Sequence, residues 1–314
     1  MSWTEVEISR AKIKYFSNKY RFIELAEYQS IQKFLETLYE REFFIFHDIY
    51  IIHSNRLNID IPIFITNNKK SVLFWLGNEV GETHGIDVKL HQFDIVYMSY
   101  IKEETKKIKH FWLFRCAISN HTSFINNSKT RWTYAFIGNI CGPKREVLIP
   151  YILGFSKFGS RIFLSMRALL KKIGLWNQVL KCFILLINNL QIFRKSTFLY
   201  LTTGWNKGML HNEYNQFIHD SKIIVCLPGY ESNETFRHFE ALMMGKIVIS
   251  WPLPESNPFY NYFKKRNMII NYEDEKKIKS SILNINLNSN CMEIHESDIA
   301  DIFLDYHKRQ LFIY

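Results

Sequence analysis

The sequence lacks the marks of a disulfide scaffold, a zinc protein or a membrane-spanning one. Five cysteines, Cys116, Cys141, Cys182, Cys226 and Cys291, make an odd number, and no two stand in a CxxC spacing. That argues against a disulfide framework or a thiolate zinc site and favours a reducing compartment. No run of about 18 clean apolar residues is present, so a spanning helix is not expected. There is no HExxH and no clustered Cys/His. There is also no DxD triplet, the nearest match being Asn58-Ile59-Asp60; no metal site is expected, and a metal-independent mechanism fits. The first residues, MSWTEVEISRAKIKYF, have no apolar core and do not read as a secretory signal. The expected location is the cytoplasm, including the inner face of the membrane. No internal repeat and no low-complexity tract stands out, and alanine and glycine are scarce.

What remains is a chain of 314 residues, 47% apolar and 16% aromatic, enough for one large domain or two ordinary ones with a substantial core. The formal charge is +10. An excess of that size implies an anionic partner: nucleic acid, a phosphorylated small molecule or an acidic membrane surface.

Strand-like runs appear at 59–67 (IDIPIFITN), 71–81 (SVLFWLGNEVG), 93–101 (FDIVYMSYI) and 110–118 (HFWLFRCAI), with helical spacing around SIQKFLETLYEREFF. The polar stretch NHTSFINNSKTR (120–131) is the best domain boundary. The expected division is an α/β domain over 1–125 and a second over 126–314, with the last helix free to cross back to the first. Beyond the boundary the alternation sharpens. WTYAFIGN is a strand and CGPKREVLIPYILGF opens a helix; STFLYLTTGW, KIIVCLPG and KIVISW are strands, NEYNQFIHD and ETFRHFEALMMG helices, and MIINYEDEKKIKSSIL adds a strand and a helix. Strands alternating with helices imply parallel βαβ units in a doubly wound sheet, which binds ligands at its strands' carboxyl ends. Two such halves would leave a cleft for a small ligand.

The helix in CLPGYESNETFRHFEALMMGKIVISW carries Arg237 and Glu240, three apart and so on one face. Asn233 or Ser232 is expected as its N-cap, and Gly245 closes it. A helix start directly after a strand favours a phosphate. Arg237 can add a forked contact to that phosphate, and Glu240, one turn deeper, suits ribose hydroxyls. The alternative is a surface ion pair three residues apart.

The segment HNEYNQFIHDSKIIVCLPGYESNETFRHFEALMMGKIVISW resembles the nucleotide-sugar half of exostosin-like glycosyltransferases. Cys226, Pro228, Gly229, Thr235, Arg237, Glu240, Ala241 and Gly245 carry the resemblance. It extends upstream to RWTYAFIGNICGPKREVL and reaches SVLFWLGNEVGE. It implies the GT-B fold: α/β, with two Rossmann-like domains and a cleft between them. It implies Arg237 as the diphosphate ligand and Glu240 as the ribose ligand, beside Gly229, Asn233 and Thr235. Lys144 or Arg145 would be a second phosphate contact, or simply a solvated helix start. Relatives commonly continue Gly-x-(Ile or Val)-Pro-Val, whereas this chain reads Gly245-Lys246-Ile247-Val248-Ile249, without the proline.

An inverting transfer needs a general base for the acceptor hydroxyl. Glu79, Glu82 and Asp87, with His84, follow an apolar strand in LGNEVGETHGID and supply candidates; ordinary turn residues are the alternative. Trp205, Asn206 and Lys207, and Trp251 or Glu255 in WPLPESNPF, are further loop residues that could meet ligand. The segment RIFLSMRALLKKIGLWNQVLKCFILLINNLQIFRK is rich in Leu, Ile and Phe with basic residues throughout. It reads either as a membrane-surface element or as buried helix with snorkelling basic residues. The leading expectation is a glycosyltransferase acting in surface polysaccharide or glycoconjugate synthesis. It would use a nucleotide-diphosphate sugar, with UDP forms favoured, as substrate rather than cofactor, and a glycan or lipid-linked acceptor. Peripheral contact with an anionic membrane is included and nucleic acid is not. The alternatives are a basic nucleic-acid-binding α/β protein and a catalytically inactive GT-B interaction module.

Overall fold

The computed structural model describes residues 3–8, 11–16, 20–23, 41, 47–52, 70–75, 93–98, 110–112, 131–140, 143–153, 155–189, 197–202, 211–228, 235–253, 257–272 and 294–312. The chain divides into two compact units. One comprises Met1–Asn120, Ser256–Phe259 and His295–Tyr314, and the other His121–Glu255 and Tyr260–Ile294.

Among the described residues the strands are β1 (Trp3–Ile8), β2 (Ala11–Phe16), β3 (Tyr20–Ile23), β4 (His47–Ile52), β5 (Lys70–Trp75), β6 (Ile95–Met98), β7 (His110–Trp112), β8 (Trp132–Asn139), β9 (Thr197–Thr202), β10 (Ser221–Cys226), β11 (Ile247–Ser250) and β12 (Ile269–Asn271). The helices are α1 (Pro143–Glu146), α2 (Ile149–Ile152), α3 (Lys157–Lys172), α4 (Trp176–Asn189), α5 (His211–His219), α6 (Phe236–Met243), α7 (Pro258–Lys265) and α8 (Glu296–Phe312). The protein is mixed α/β. The strand expected at 59–67 lies outside the described residues, as does the SIQKFLETLYEREFF helix apart from Arg41.

The first unit holds a sheet in strict sequence order, β1 to β7, antiparallel across β1–β2–β3 and parallel from β3 onward. Among the described strands the order never reverses, so they do not show in this sheet the doubly wound pattern expected of both halves. Asp94 accepts from the Ser71 N–H at 2.7 Å and from its hydroxyl at 2.8 Å, tying the starts of β5 and β6. The buried Tyr97 of β6 meets α8, its ring 4.8 Å from Phe303 and its hydroxyl hydrogen-bonded to His307 Nδ1.

The second unit is built on a fully parallel sheet in the order β12-β11-β10-β8-β9. The chain steps from β8 to β9 on one side, then returns past β8 to β10 and on to β11 and β12. Both faces are covered, which explains why these strands read as nearly continuous apolar runs. Phe136, Leu199, Leu201, Val225 and Leu227 join one cluster with Ile149, Phe163, Trp176, Leu180 and Ile184 from α2, α3 and α4. Ile224 and Cys226, alternating with those β10 positions, are equally buried. Phe239 and Leu242 of α6 are fully buried as well.

Local signals set the boundaries. Ser156 caps α3, its hydroxyl accepting from Gly159 N–H at 3.1 Å. Gly174, at φ +75°, makes the turn from α3 to α4. Gly245, at φ +71°, ends α6 in a Schellman motif: its N–H bonds Leu242 O, and Lys246 N–H bonds Ala241 O, both at 3.0 Å. Lys246 then turns its Nζ onto His219 O at 2.6 Å, satisfying a terminal carbonyl of α5. The WPLPESNPF stretch, expected as a stiff loop, passes into α7 at Pro258, a residue suited to a first helical turn.

Glu146 of α1 is buried and takes Lys171 at 2.7 Å and Arg167 at 2.8 Å, anchoring α3. Burial pushes its carboxyl up, but the hydrogen bonds and charges of Lys171 and Arg167 outweigh this and hold it below the ordinary glutamate value. A depressed folded-state value stabilises above the unfolded value and is lost as pH falls through the folded one. Glu146→Gln is therefore expected to destabilise by about 1–2 kcal/mol at neutral pH, discounted for the solvent access of Lys171. In denaturant titrations the gap from the wild type closes below the ordinary glutamate value, about pH 4.

Candidate functional site

A parallel sheet whose order reverses opens a crevice at its carboxyl edge, where the connections leave in opposite directions. Here that point lies between β8 and β10. The structure brings two of the sequence-predicted residues, Arg237 and Glu240, to this edge.

α6 begins two or three residues later than expected. Its N-cap is Thr235, not Asn233 or Ser232. The capping box is completed by His238 at N3, a position usually held by Glu or Gln: Thr235 N–H donates to His238 Nδ1 at 3.0 Å. That leaves Nε2 to donate to Ser250 Oγ at 2.6 Å, and Ser250 Oγ–H donates to Trp251 O at 2.7 Å. A buried, neutral imidazole thus fastens the start of α6 to the end of β11.

Arg237 occupies the second position of α6. Its guanidinium lies against Gly138 so closely that a Cβ there would stand 2.6 Å from both Nη atoms. Gly138 has φ +154°, a backbone that side chains resist. The guanidinium also lies 5.8 Å from the Phe136 ring. Burial works against its charge, but Tyr214, Cys226 and Glu240 outweigh this and raise its pKa, so it remains a cation. Its Nε is sealed from solvent without a hydrogen-bond partner. An orphaned buried donor costs about 1–3 kcal/mol.

Glu240, half-buried, accepts a short hydrogen bond from the Tyr214 hydroxyl of α5. Burial, then the charge of Glu240, push the Tyr214 phenol well up, so it stays a donor. Cys226, at the end of β10, is pushed up to about 12, mainly by burial. It is an inert wall of the site and not a nucleophile.

Arg145 reaches Pro228 O at 2.8 Å through Nε and Asn139 O at 2.9 Å through Nη1. It clamps the two strand ends that flank the crevice, so at least two of its donors serve backbone carbonyls. Lys144 lies in α1, and its side chain is outside the described residues. So are Gly229, Asn233, Glu79, Glu82, His84, Asp87, Trp205, Asn206, Lys207 and Glu255. Trp251 packs edge-on against Tyr272 at 5.4 Å. Among the described residues no group of three or more His, Cys, Asp or Glu is placed to hold a metal ion. Sequence reasoning missed Gly138 as the seat of Arg237, Tyr214 as the partner of Glu240, and the His238–Ser250 link. The first had a signal, a glycine ending a strand; the others join residues distant in sequence and had none.

No protein-family model matches the sequence, and neither does any curated protein. Solved structures with a similar course include the crystal structure of TarM, 14% identical, covering 95% of this chain and 59% of that one at a TM-score of 0.40. Another is the Glycosylation Associate Protein (Gap123) complex from Streptococcus agalactiae, 11% identical, covering 90% of this chain and 56% of that one at a TM-score of 0.40. The chain therefore spans less than two thirds of the length of either.

Two outcomes follow from this geometry. Gly138→Ala forces the guanidinium from its seat and strains the backbone; chemical denaturation should show a loss of about 1–3 kcal/mol with the unit still folded. In native alkylation at pH 8, read by peptide mass spectrometry, the exposed Cys182 is labelled while the buried Cys226 is protected until the protein unfolds.

Proposed function

We propose that this protein is a glycosyltransferase whose second unit binds a nucleotide-diphosphate sugar at the carboxyl edge of its parallel sheet. The observation that carries the reading is the Arg237 cation held at the reversal point between β8 and β10. A residue kept there only for stability would not be expected to carry an orphaned Nε. Anions favour that place twice over, from the guanidinium and from the first-turn N–H groups of α6.

In this reading the diphosphate meets Arg237 and the start of α6. Arg237 offsets the charge that builds on the leaving diphosphate as the glycosidic bond breaks. Glu240, one turn on, receives the ribose hydroxyls, its orientation set by Tyr214. Arg145 is reassigned from phosphate ligand to positioning residue, since it holds the strand ends at the crevice. Lys144 remains the second phosphate contact of the proposal. The base that deprotonates the acceptor hydroxyl is proposed from Glu79, Glu82 and Asp87 in the other unit, with inversion at the transferred carbon. The sugar nucleotide is substrate, UDP forms first, and the acceptor a glycan or lipid-linked glycan at the cytoplasmic side.

The test is thermal stability against UDP-, GDP-, ADP- and CMP-sugars. A ligand that binds only the folded state at a hundredfold excess over Kd adds on the order of 2.7 kcal/mol. The expected result is a melting shift of several degrees with one nucleotide family. Arg237→Met fills similar space without the charge but leaves Glu240 without its cation, so the unliganded variant should be less stable by up to about 3 kcal/mol, and the ligand-induced shift is read against the variant's own unliganded melting curve. The substitution should abolish that shift. No shift with any nucleotide would sink the reading. A steep salt dependence without nucleotide selectivity would instead move the site to nucleic-acid phosphate.

A further inference from the structure

The α3–α4 hairpin presents apolar surface that the core does not use. On α3 and its C-cap, Phe158, Ile162, Met166, Leu169 and the cap residue Ile173 are all exposed, Phe158 at 73% and Leu169 at 60%. Their spacing of four, four, three and four residues gathers them within roughly 80° of arc on the helix. Leu175, just before α4, and Val179, Cys182 and Leu186 on it form a second exposed stripe, with Leu186 at 56%. The two stripes flank one groove of about 230 Å³, to which Ile162, Met166 and Val179 contribute walls and Trp176, Leu180 and Phe183 further lining. Exposed apolar ridges along both arms of a hairpin are more than the scattered apolar residues of an ordinary surface.

Charge says what covers them. The chain has no Asp or Glu between Glu146 and Glu213, while Lys157, Arg161 and Lys172 border the α3 stripe and Lys181 stands on α4. All four are exposed. Arg167 and Lys171 are turned inward to Glu146, leaving the outer face cationic without counter-charge of its own. A second copy pairing through the same face would set like charges against each other. No described helix is long and apolar enough to cross a membrane. An apolar stripe with a basic border that lies flat suits the headgroup boundary of an anionic bilayer.

We infer that the α3–α4 hairpin is a membrane-docking face that seats the protein on an anionic lipid surface. Phe158, Ile162, Leu169 and Leu186 enter the acyl boundary, and Lys157, Arg161, Lys172 and Lys181 meet lipid phosphates. The inference stands on this face alone and does not depend on the nucleotide site.

The experiment is vesicle flotation of the full chain with phosphatidylcholine vesicles, with and without phosphatidylglycerol. Binding is expected only where phosphatidylglycerol is present, and it should weaken with salt. Each of Lys157→Gln, Arg161→Gln and Lys172→Gln should reduce partition about fivefold. Ile162→Glu with Leu169→Glu should reduce it more than about tenfold. Because these positions are exposed, melting curves should stay near wild type. Phe158→Trp provides a second readout independent of loss of binding: its difference emission from wild type, whose seven tryptophans are the background, shifts to the blue on phosphatidylglycerol vesicles and is quenched by brominated lipid. Absence of binding at low salt, equal binding to both vesicle types, or an unshifted emission from bound Phe158→Trp protein each overturns the inference. So does a dimer in light scattering that Leu169→Glu dissolves while vesicles are ignored.

Discussion

Arg237 lies with its guanidinium on the backbone of Gly138, and much of the second unit can be understood as what holds that contact in place. A cation set between β8 and β10 loses water that the protein only partly replaces. Tyr214, Glu240 and the Cys226 sulfur give it a favourable field, while Phe136 lies beneath it. The arrangement tolerates no side chain on Gly138 and leaves one guanidinium donor unmatched. Such a local conflict with packing rules is what a site shaped for chemistry would show, and it is why the proposed function is placed there.

The surroundings are braced. Arg145 ties the ends of β8 and β10 through their carbonyls. The His238 imidazole, neutral and satisfied on both nitrogens, fixes the start of α6 to the end of β11. The Schellman turn at Gly245 and the Lys246 contact to α5 fix the other end. Each support comes from a different element, so α6 and the residues it carries stand on a rigid frame. That is the condition for a site to bind charge without paying for reorganisation.

The fold of the second unit was largely legible in the chain. WTYAFIGN, KIIVCLPG and KIVISW are β-branched and aromatic runs bounded by glycine, and they appear as β8, β10 and β11 within three residues at either end. A doubly wound sheet was expected, but the position of its reversal was not legible, because periodicity does not say on which side of β8 the next strand falls. The N-cap of α6 was displaced because His238 took the capping role normally read from Glu or Gln. Arg237 and Glu240 could be marked by spacing, but their partners Gly138 and Tyr214 join through space. The basic apolar stretch after residue 160 left two readings open. It is in fact both a packed and an exposed element: Phe163, Trp176, Leu180 and Ile184 fill the core, while Ile162, Met166, Leu169 and Val179 face outward.

The central claim is that the carboxyl edge between β8 and β10 is an anion-binding site for a nucleotide diphosphate. Hydrogen–deuterium exchange with and without UDP tests it most directly. The account predicts slowed exchange in peptides spanning Gly138–Asn139 and Thr235–Glu240, lost in Arg237→Met. Protection elsewhere with those peptides unchanged would contradict it.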